Sequence, residues 1–146
     1  MGKIPERLKI ATWYRSIFHK IEKKLWIPRI NPSVYQVAAI VLSFAVLFAD
    51  EKLTKFLLVG VILILDWFDG ATARKYKMTG EVGYMIDVVV DKLSEFIMFF
   101  PLHGSLSETV WFSLAMVNLI LSYIGFSTGK HTIMALRFFY LFYIWI

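Results

Sequence analysis

Five long apolar runs fill most of this chain, and they restrict its fold more than any other feature does. The runs cover residues 33–49, 53–68, 82–102, 110–126 and 133–146. A bilayer span needs about 20 apolar residues, or roughly 17 at the short end. The third run exceeds that length, the first and fourth have 17 residues each and reach its short end, and the second meets it if its helix continues past Asp69. The fifth has 14 residues and predicts a short span.

The composition agrees with a membrane location. Hydrophobic residues make up 58% of the 146 positions, and the mean hydropathy is +0.63, which is high for a soluble domain. Backbone groups inside a bilayer must be hydrogen-bonded within the protein, and helices achieve this. The sequence therefore predicts an all-α, polytopic integral membrane bundle of about five spans, formed by residues 31–146. The chain has no cysteine, which excludes a disulfide or zinc–thiolate framework.

A different pattern precedes the first run. Between residues 4 and 26, apolar residues recur at helical spacing, and basic residues fill much of the remaining surface. This pattern is typical of an amphipathic helix in the membrane interface, which we assign to residues 1–30. Eight of the sixteen Lys and Arg residues precede Pro32. With a net charge of +5, they favour an anionic membrane surface over nucleic acid as the partner.

The distribution of basic residues also predicts the orientation. If the N-terminus is inside, the loop that holds Arg74, Lys75 and Lys77 is cytoplasmic, as is Lys130. The loop at 103–108, on the outer side, has no Lys or Arg. We therefore expect an integral cell-membrane protein with its N-terminus on the cytoplasmic side, where the facing ends of the second and third spans also lie.

Four aspartates lie at those ends, in the stretch DWFDGATARKYKMTGEVGYMIDVVVD at residues 66–91. One helix face would carry Asp66, Asp69, Gly70 and Ala73. A stripe on the next helix would carry Gly83, Asp87 and Asp91. A tight turn at 77–80 would bring the two stripes together. Four carboxylates at short range repel one another, and hard divalent cations such as magnesium, manganese or calcium relieve that repulsion.

A site of this kind favours phosphoryl chemistry. Four carboxylates can hold two ions about 3.5–4 Å apart, and such a pair clamps phosphoryl groups for in-line displacement. Arg74 lies on the same side of its helix, and its planar guanidinium can donate two hydrogen bonds to a phosphate. Gly70 and Gly83 leave room for a ligand or a helix to approach closely.

The stretch resembles the signature of the CDP-alcohol phosphatidyltransferase family, D-x2-D-G-x2-A-R-x8-G-x3-D-x3-D. All eight defined positions match, at Asp66, Asp69, Gly70, Ala73, Arg74, Gly83, Asp87 and Asp91. The resemblance implies a membrane enzyme, usually of six helices and homodimeric. Such an enzyme transfers a phosphatidyl-type group from a CDP-linked lipid to an alcohol acceptor and releases CMP, in phospholipid biosynthesis.

The same resemblance implies a role for each motif residue. Two divalent ions, Mg²⁺ or Mn²⁺, would be held by Asp66, Asp69, Asp87 and Asp91. The CDP moiety would be bound by Asp66, Gly70, Ala73 and Arg74. Asp91 would also act as the catalytic base that takes the proton from the acceptor hydroxyl.

The chain departs from the family in two places. Many members begin their first span with Pro-Asn-x-x-Thr or Pro-Asn-x-x-Ser, whereas this chain has Pro32, Ser33 and Gln36 at those positions. Five apolar runs also leave the family's sixth helix unaccounted for. Beside the motif, Lys92 and Glu95 could line the site, but their spacing favours an ion pair with each other.

Two cations further along the chain suggest the nature of the acceptor. Lys130 and Arg137 are seven residues apart, so they would share a face if their helix begins near Lys130. Cations beside a two-metal site suit an acceptor with its own phosphate, such as inositol phosphate or glycerol phosphate. Alternatively, Arg137 could snorkel to the membrane interface.

Two other functions would also explain acidic residues in a membrane. A cation transporter buries carboxylates along its ion pathway, and a membrane prenyltransferase uses aspartates and magnesium on a lipid diphosphate. Neither accounts for Gly70, Ala73 and Arg74 beside the aspartates. Release of CMP from a CDP-linked lipid distinguishes the three functions.

Overall fold

Five helices make up the computed structural model, which describes residues 27–78, 80–128 and 135–146. In chain order they are α1 (Pro32–Phe48), α2 (Lys52–Lys75), α3 (Glu81–Met98), α4 (Leu106–Thr128) and α5 (Leu136–Trp145). No strand occurs among those residues, so the predicted all-α fold is confirmed. Most of the predicted interfacial helix at 1–30 lies outside the described residues, as does Lys130.

Two of the described helices, α2 and α4, are long and apolar enough to cross a bilayer. α2 has 24 residues, and the apolar part of α4 extends over the 20 residues of Leu106–Gly125. At 1.5 Å per residue, α2 is about 36 Å long, which exceeds a hydrocarbon core of about 30 Å. This helix continues past Asp69 to Lys75, so the second apolar run has the length that a membrane span needs. α1 and α5 are shorter apolar helices of 17 and 10 residues.

Local signals fix the helix ends around the acidic region. The side chain of Asn31 caps α1 by accepting the backbone N–H of Ser33 at 3.1 Å, and Pro32 occupies the first helical turn. α2 ends where Lys77 adopts a left-handed φ of 55°. The N–H of Met78 then donates back into the last turn of α2 at 2.9 Å. This Schellman-type closure reverses the chain between the two acidic helices.

α1 supports both acidic helices. It packs along α2 and also against α3, whereas α2 and α3 make little direct backbone contact with each other. α5 packs on α2, and α4 packs on α3. The acidic ends of α2 and α3 are therefore held from one side by α1, and side chains rather than backbones meet between them.

The apolar core lies where these helices meet. It consists of Ala39, Val46, Val59, Ile62, Met98, Phe99, Ala115, Leu136 and Ile144. Towards the end of the bundle away from the aspartates, the ring of Phe99 lies 5.5 Å from Trp111 and 4.9 Å from Tyr140, centroid to centroid. Large apolar side chains such as Phe48 and Ile120 stay exposed, and lipid tails would cover this surface.

Polar side chains on α3 pair with partners inside the bundle. Lys92 donates to Glu95 at 2.9 Å, and the two side chains are only 7% and 6% exposed. Asn118 of α4 donates to the same Glu95 oxygen at 2.9 Å. Ser94 hydrogen-bonds with Ser43 of α1. The predicted pairing of Lys92 with Glu95 is confirmed, and polar contacts join α3 to both α1 and α4.

Removing one partner of this buried pair should cost more than removing both. Glu95→Leu leaves the Lys92 ammonium without its carboxylate, at a cost of about 3–5 kcal/mol. The double variant Lys92→Met/Glu95→Leu replaces both charges with apolar side chains. We expect the unfolding temperature in detergent to fall sharply for the single variant and to recover most of that loss in the double variant. An unchanged unfolding temperature for Glu95→Leu would contradict the buried pair.

Candidate active site

Carboxylates from the end of α2 and the first half of α3 meet in one cluster. Oxygen atoms of Asp66, Asp87 and Asp91 all lie within 4.8 Å of one another. Asp69, one turn along α2 from Asp66, is in hydrogen-bond range of Asp87 and is only 5% exposed. The two stripes that the sequence predicted therefore face each other, and the structure brings the four aspartates together.

The donor atoms of this cluster fit a hard divalent cation. All are carboxylate oxygens, which magnesium, manganese and calcium prefer. Opposite ligands of an octahedral magnesium ion are about 4 Å apart. The oxygens of Asp66, Asp87 and Asp91, no more than 4.8 Å apart, are spread over a similar distance. These three residues could therefore hold a divalent ion.

Gln36 of α1 joins the cluster from outside the motif. Its amide Nε2 donates to Oδ2 of Asp69 at 2.9 Å. Beside it, the Tyr35 ring stacks on Phe68 of α2, with the centroids 6.1 Å apart. The sequence marked Gln36 only as a departure from the family pattern and did not predict this contact. The sequence feature that could have pointed to this contact is a polar side chain near the start of an apolar helix.

Arg137 of α5 reaches the cluster from another direction. Its Nη1 lies 3.0 Å from Oδ1 of Asp91, and its Nη2 donates to the Asp91 carbonyl oxygen at 2.7 Å. The side chain is 6% exposed, so Arg137 is buried beside a carboxylate rather than snorkelling to the interface. Its Nε has no hydrogen-bond partner in the described part of the chain. The sequence identified this buried charge but not its counter-ion, because the two residues are 46 positions apart.

Gly70 makes room for Arg74, one turn later on α2. A Cβ at Gly70 would lie 3.0 Å from Nη1 of Arg74 and 3.6 Å from Nη2. The side chain closest to Gly70 is therefore the arginine of the same motif. The sequence had instead suggested that a ligand or another helix comes close to this glycine. At Gly83, a Cβ would meet the carbonyl oxygen of Met78 at an ordinary 3.8 Å. Ala73 is half-buried and Arg74 is exposed, so this end of α2 is accessible.

Comparison with known proteins agrees with the signature. The family model of CDP-alcohol phosphatidyltransferases matches residues 32–143, from the start of α1 almost to the end of α5. The chain belongs to the CDP-alcohol phosphatidyltransferase family. Members of this family transfer a phosphatidyl group from a CDP-alcohol, are membrane proteins and generally depend on divalent metal ions. No curated protein and no solved structure matches the chain.

Family membership covers more of the chain than the signature does. Gln36 and Arg137 both lie within the matched range, yet neither belongs to the eight signature positions. In this CDP-alcohol phosphatidyltransferase, the two side chains contact Asp69 and Asp91 from helices that flank the motif. The surroundings of the aspartates are thus built by four helices: α1, α2, α3 and α5.

Proposed function

We propose that this enzyme transfers the phosphatidyl-type group of a CDP-linked lipid to an alcohol that carries its own phosphate, such as inositol phosphate or glycerol phosphate. We further propose that it uses two divalent ions, Mg²⁺ or Mn²⁺, and acts as a homodimer at the cytoplasmic face of the cell membrane. The observation that carries this proposal is the meeting of the Asp66, Asp87 and Asp91 oxygens within a complete family signature.

The aspartates have the arrangement that metal binding needs. Oxygens of Asp66, Asp87 and Asp91 lie within 4.8 Å of one another, and Asp69 adds a carboxylate beside Asp87. When bound there, the ions neutralise the diphosphate and stabilise the charge that develops during phosphoryl transfer. The protein's own part would be to hold the carboxylates at short range before the ions bind, so that little reorganisation is needed during the reaction.

The CDP moiety would bind at the accessible end of α2. Arg74 is exposed there, and Gly70 leaves space for its guanidinium to lie back along the helix. A planar guanidinium suits a phosphate because it can donate two parallel hydrogen bonds. Ala73 and Asp66 lie on the same face of the helix and would complete the contact.

Asp91 would act as the base. Arg137 contacts Oδ1 of its carboxylate, and the other oxygen would take the proton of the acceptor hydroxyl. The acceptor oxygen forms a bond to the lipid-linked phosphorus, and the bond from that phosphorus to the CMP oxygen breaks. CMP leaves with the electron pair of that bond, and a phosphodiester lipid remains.

Arg137 supports a phosphorylated acceptor. Two of its nitrogens contact Asp91, while its buried Nε has no partner in the described part of the protein. A guanidinium has five N–H donors, so it can bind the base and a ligand phosphate together. That arrangement would bring the acceptor next to the residue that deprotonates it. Lys130, seven residues earlier in the sequence, would add a second cation.

The metal requirement can be tested by CMP release from a CDP-linked lipid. We expect Asp66→Asn, Asp69→Asn and Asp87→Asn each to reduce CMP release to background and to weaken Mn²⁺ binding, because each removes a charged ligand. EDTA should have the same effect, reversed by added Mg²⁺. Asp50→Asn, an exposed aspartate between α1 and α2, is the matched control and should behave as wild type. Full CMP release in EDTA would contradict the metal site, and no CMP release with any alcohol would contradict the reaction.

Gly70→Ala should impair CDP-lipid binding without destabilising the fold. The three atoms nearest to the new Cβ belong to the flexible end of the Arg74 side chain, so the guanidinium can move and the protein need not unfold. Partial loss of a charge-assisted hydrogen bond should raise KM for the CDP-linked lipid roughly tenfold. Gly60→Ala is the control, since a Cβ at that position of α2 has no atom within 4 Å. If Gly70→Ala leaves KM unchanged, Arg74 does not bind the CDP moiety.

The acceptor can be identified by comparing alcohols with and without a phosphate. Wild type should use inositol phosphate or glycerol phosphate in preference to inositol or glycerol. Arg137→Lys and Lys130→Ala should each raise KM for the phosphorylated acceptor about 10-fold or more, with CDP-lipid held saturating and its affinity unchanged. Arg137→Lys keeps a cation beside Asp91, so it limits damage to the base. Unchanged acceptor KM in both variants would contradict the proposed acceptor site.

A further inference from the structure

One of the four aspartates is held by a neutral donor from outside the signature. Asp69 is the most buried of the four, at 5% exposed. Its Oδ2 accepts a hydrogen bond of 2.9 Å from Nε2 of Gln36, which lies 33 positions earlier in the sequence. Gln36 is half-buried and stands one helical turn beyond Pro32. The contact thus links the start of α1 to the acidic end of α2.

The backbone that carries Gln36 is fixed on both sides. The Asn31 cap and Pro32 set the first turn of α1. One residue before Gln36, the Tyr35 ring stacks on Phe68, next to Asp69 in the sequence. α1 also packs along α2 more extensively than any other described pair of helices does. A hydrogen bond between two helices held in this way restricts the Asp69 side chain to a narrow range of orientations.

An amide is a suitable donor for orienting a carboxylate that binds a metal ion. The Gln36 amide carries no charge, so its hydrogen bond leaves the negative charge of Asp69 available to a cation. Arg137 differs in this respect, because its guanidinium partly neutralises Asp91. With Oδ2 engaged by Gln36, a metal ion would be bound through Oδ1 of Asp69. Outer-shell partners that orient metal-binding carboxylates in this way typically change metal affinity 10–100-fold.

We infer that Gln36 is a positioning residue that orients Asp69 for the divalent cation. This inference rests on the proposed function, since it assumes that Asp69 binds the metal. Threonine or serine, which many family members have at this position, would not serve in the same way here. Their hydroxyl oxygen is two bonds from Cα, whereas Nε2 of glutamine is four bonds away. The longer side chain spans the gap between α1 and Asp69.

The test is Mn²⁺ binding to the purified full chain in detergent, without substrates, measured from the electron paramagnetic resonance signal of free Mn²⁺. Gln36→Met keeps the length of the side chain and removes the hydrogen-bond donor. Gln36→Thr keeps a donor but makes the side chain too short to contact Asp69. Both should raise the Mn²⁺ dissociation constant about 10-fold or more. The Mn²⁺ concentration for half-maximal CMP release should rise by the same factor, while kcat and KM for the CDP-linked lipid at saturating Mn²⁺ stay near wild type.

This combination separates positioning from a general structural role. A merely structural Gln36 would lower kcat at saturating Mn²⁺ and the unfolding temperature of the metal-free protein, and that result would overturn the inference. Val37→Ala is the matched control: this neighbour on α1 is 60% exposed, so its variant should bind Mn²⁺ as wild type does. If Gln36→Met does not fold, Gln36→Asn keeps an amide one bond shorter and should show the same loss of Mn²⁺ affinity.

Asp69→Asn distinguishes failure of the inference from failure of the proposed function. If Asp69→Asn weakens Mn²⁺ binding and Gln36→Met does not, the metal site stands and the role of Gln36 is refuted. If Asp69→Asn binds Mn²⁺ as tightly as wild type, Asp69 is not a ligand, and both the proposed metal set and the inference fail.

Discussion

Charged and polar side chains on α3 can remain inside an apolar bundle because neighbouring helices supply partners. Glu95 is neutralised by Lys92 and receives a hydrogen bond from Asn118 of α4. Asp91 is paired with Arg137 of α5. An unpaired charge at these positions would cost several kcal/mol. These contacts therefore help to hold side chains of α4 and α5 beside α3.

The aspartate cluster gathers more carboxylates than Arg137 alone can neutralise. Asp66, Asp87 and Asp91 share a small volume, and Arg137 contacts Asp91 among them. α2 and α3 also have little direct backbone contact, since α1 holds both from one side. The site thus combines clustered carboxylates with two helices whose backbones stay apart. Both features are what a pair of metal ions and a diphosphate would require.

How much of this the sequence could predict depends on the distance between the interacting residues. The two aspartate stripes were predictable because helical spacing and a short turn fix them locally. The contacts of Gln36 with Asp69 and of Arg137 with Asp91 were not, because they join residues 33 and 46 positions apart and depend on how α1 and α5 dock. Gly70 lies between these cases. Its need for space was predictable, but the rotamer of Arg74 decides what fills that space.

The contacts made by Gln36 and Arg137 give the two sides of the aspartate cluster different surroundings. Asp69 receives a hydrogen bond that leaves its charge intact, and it adjoins Asp87, which is half-buried on α3. Asp91 shares its charge with a buried guanidinium. In the proposed mechanism, Asp69 and Asp87 would serve as metal ligands, whereas Asp91, beside Arg137, would also take the proton of the acceptor hydroxyl.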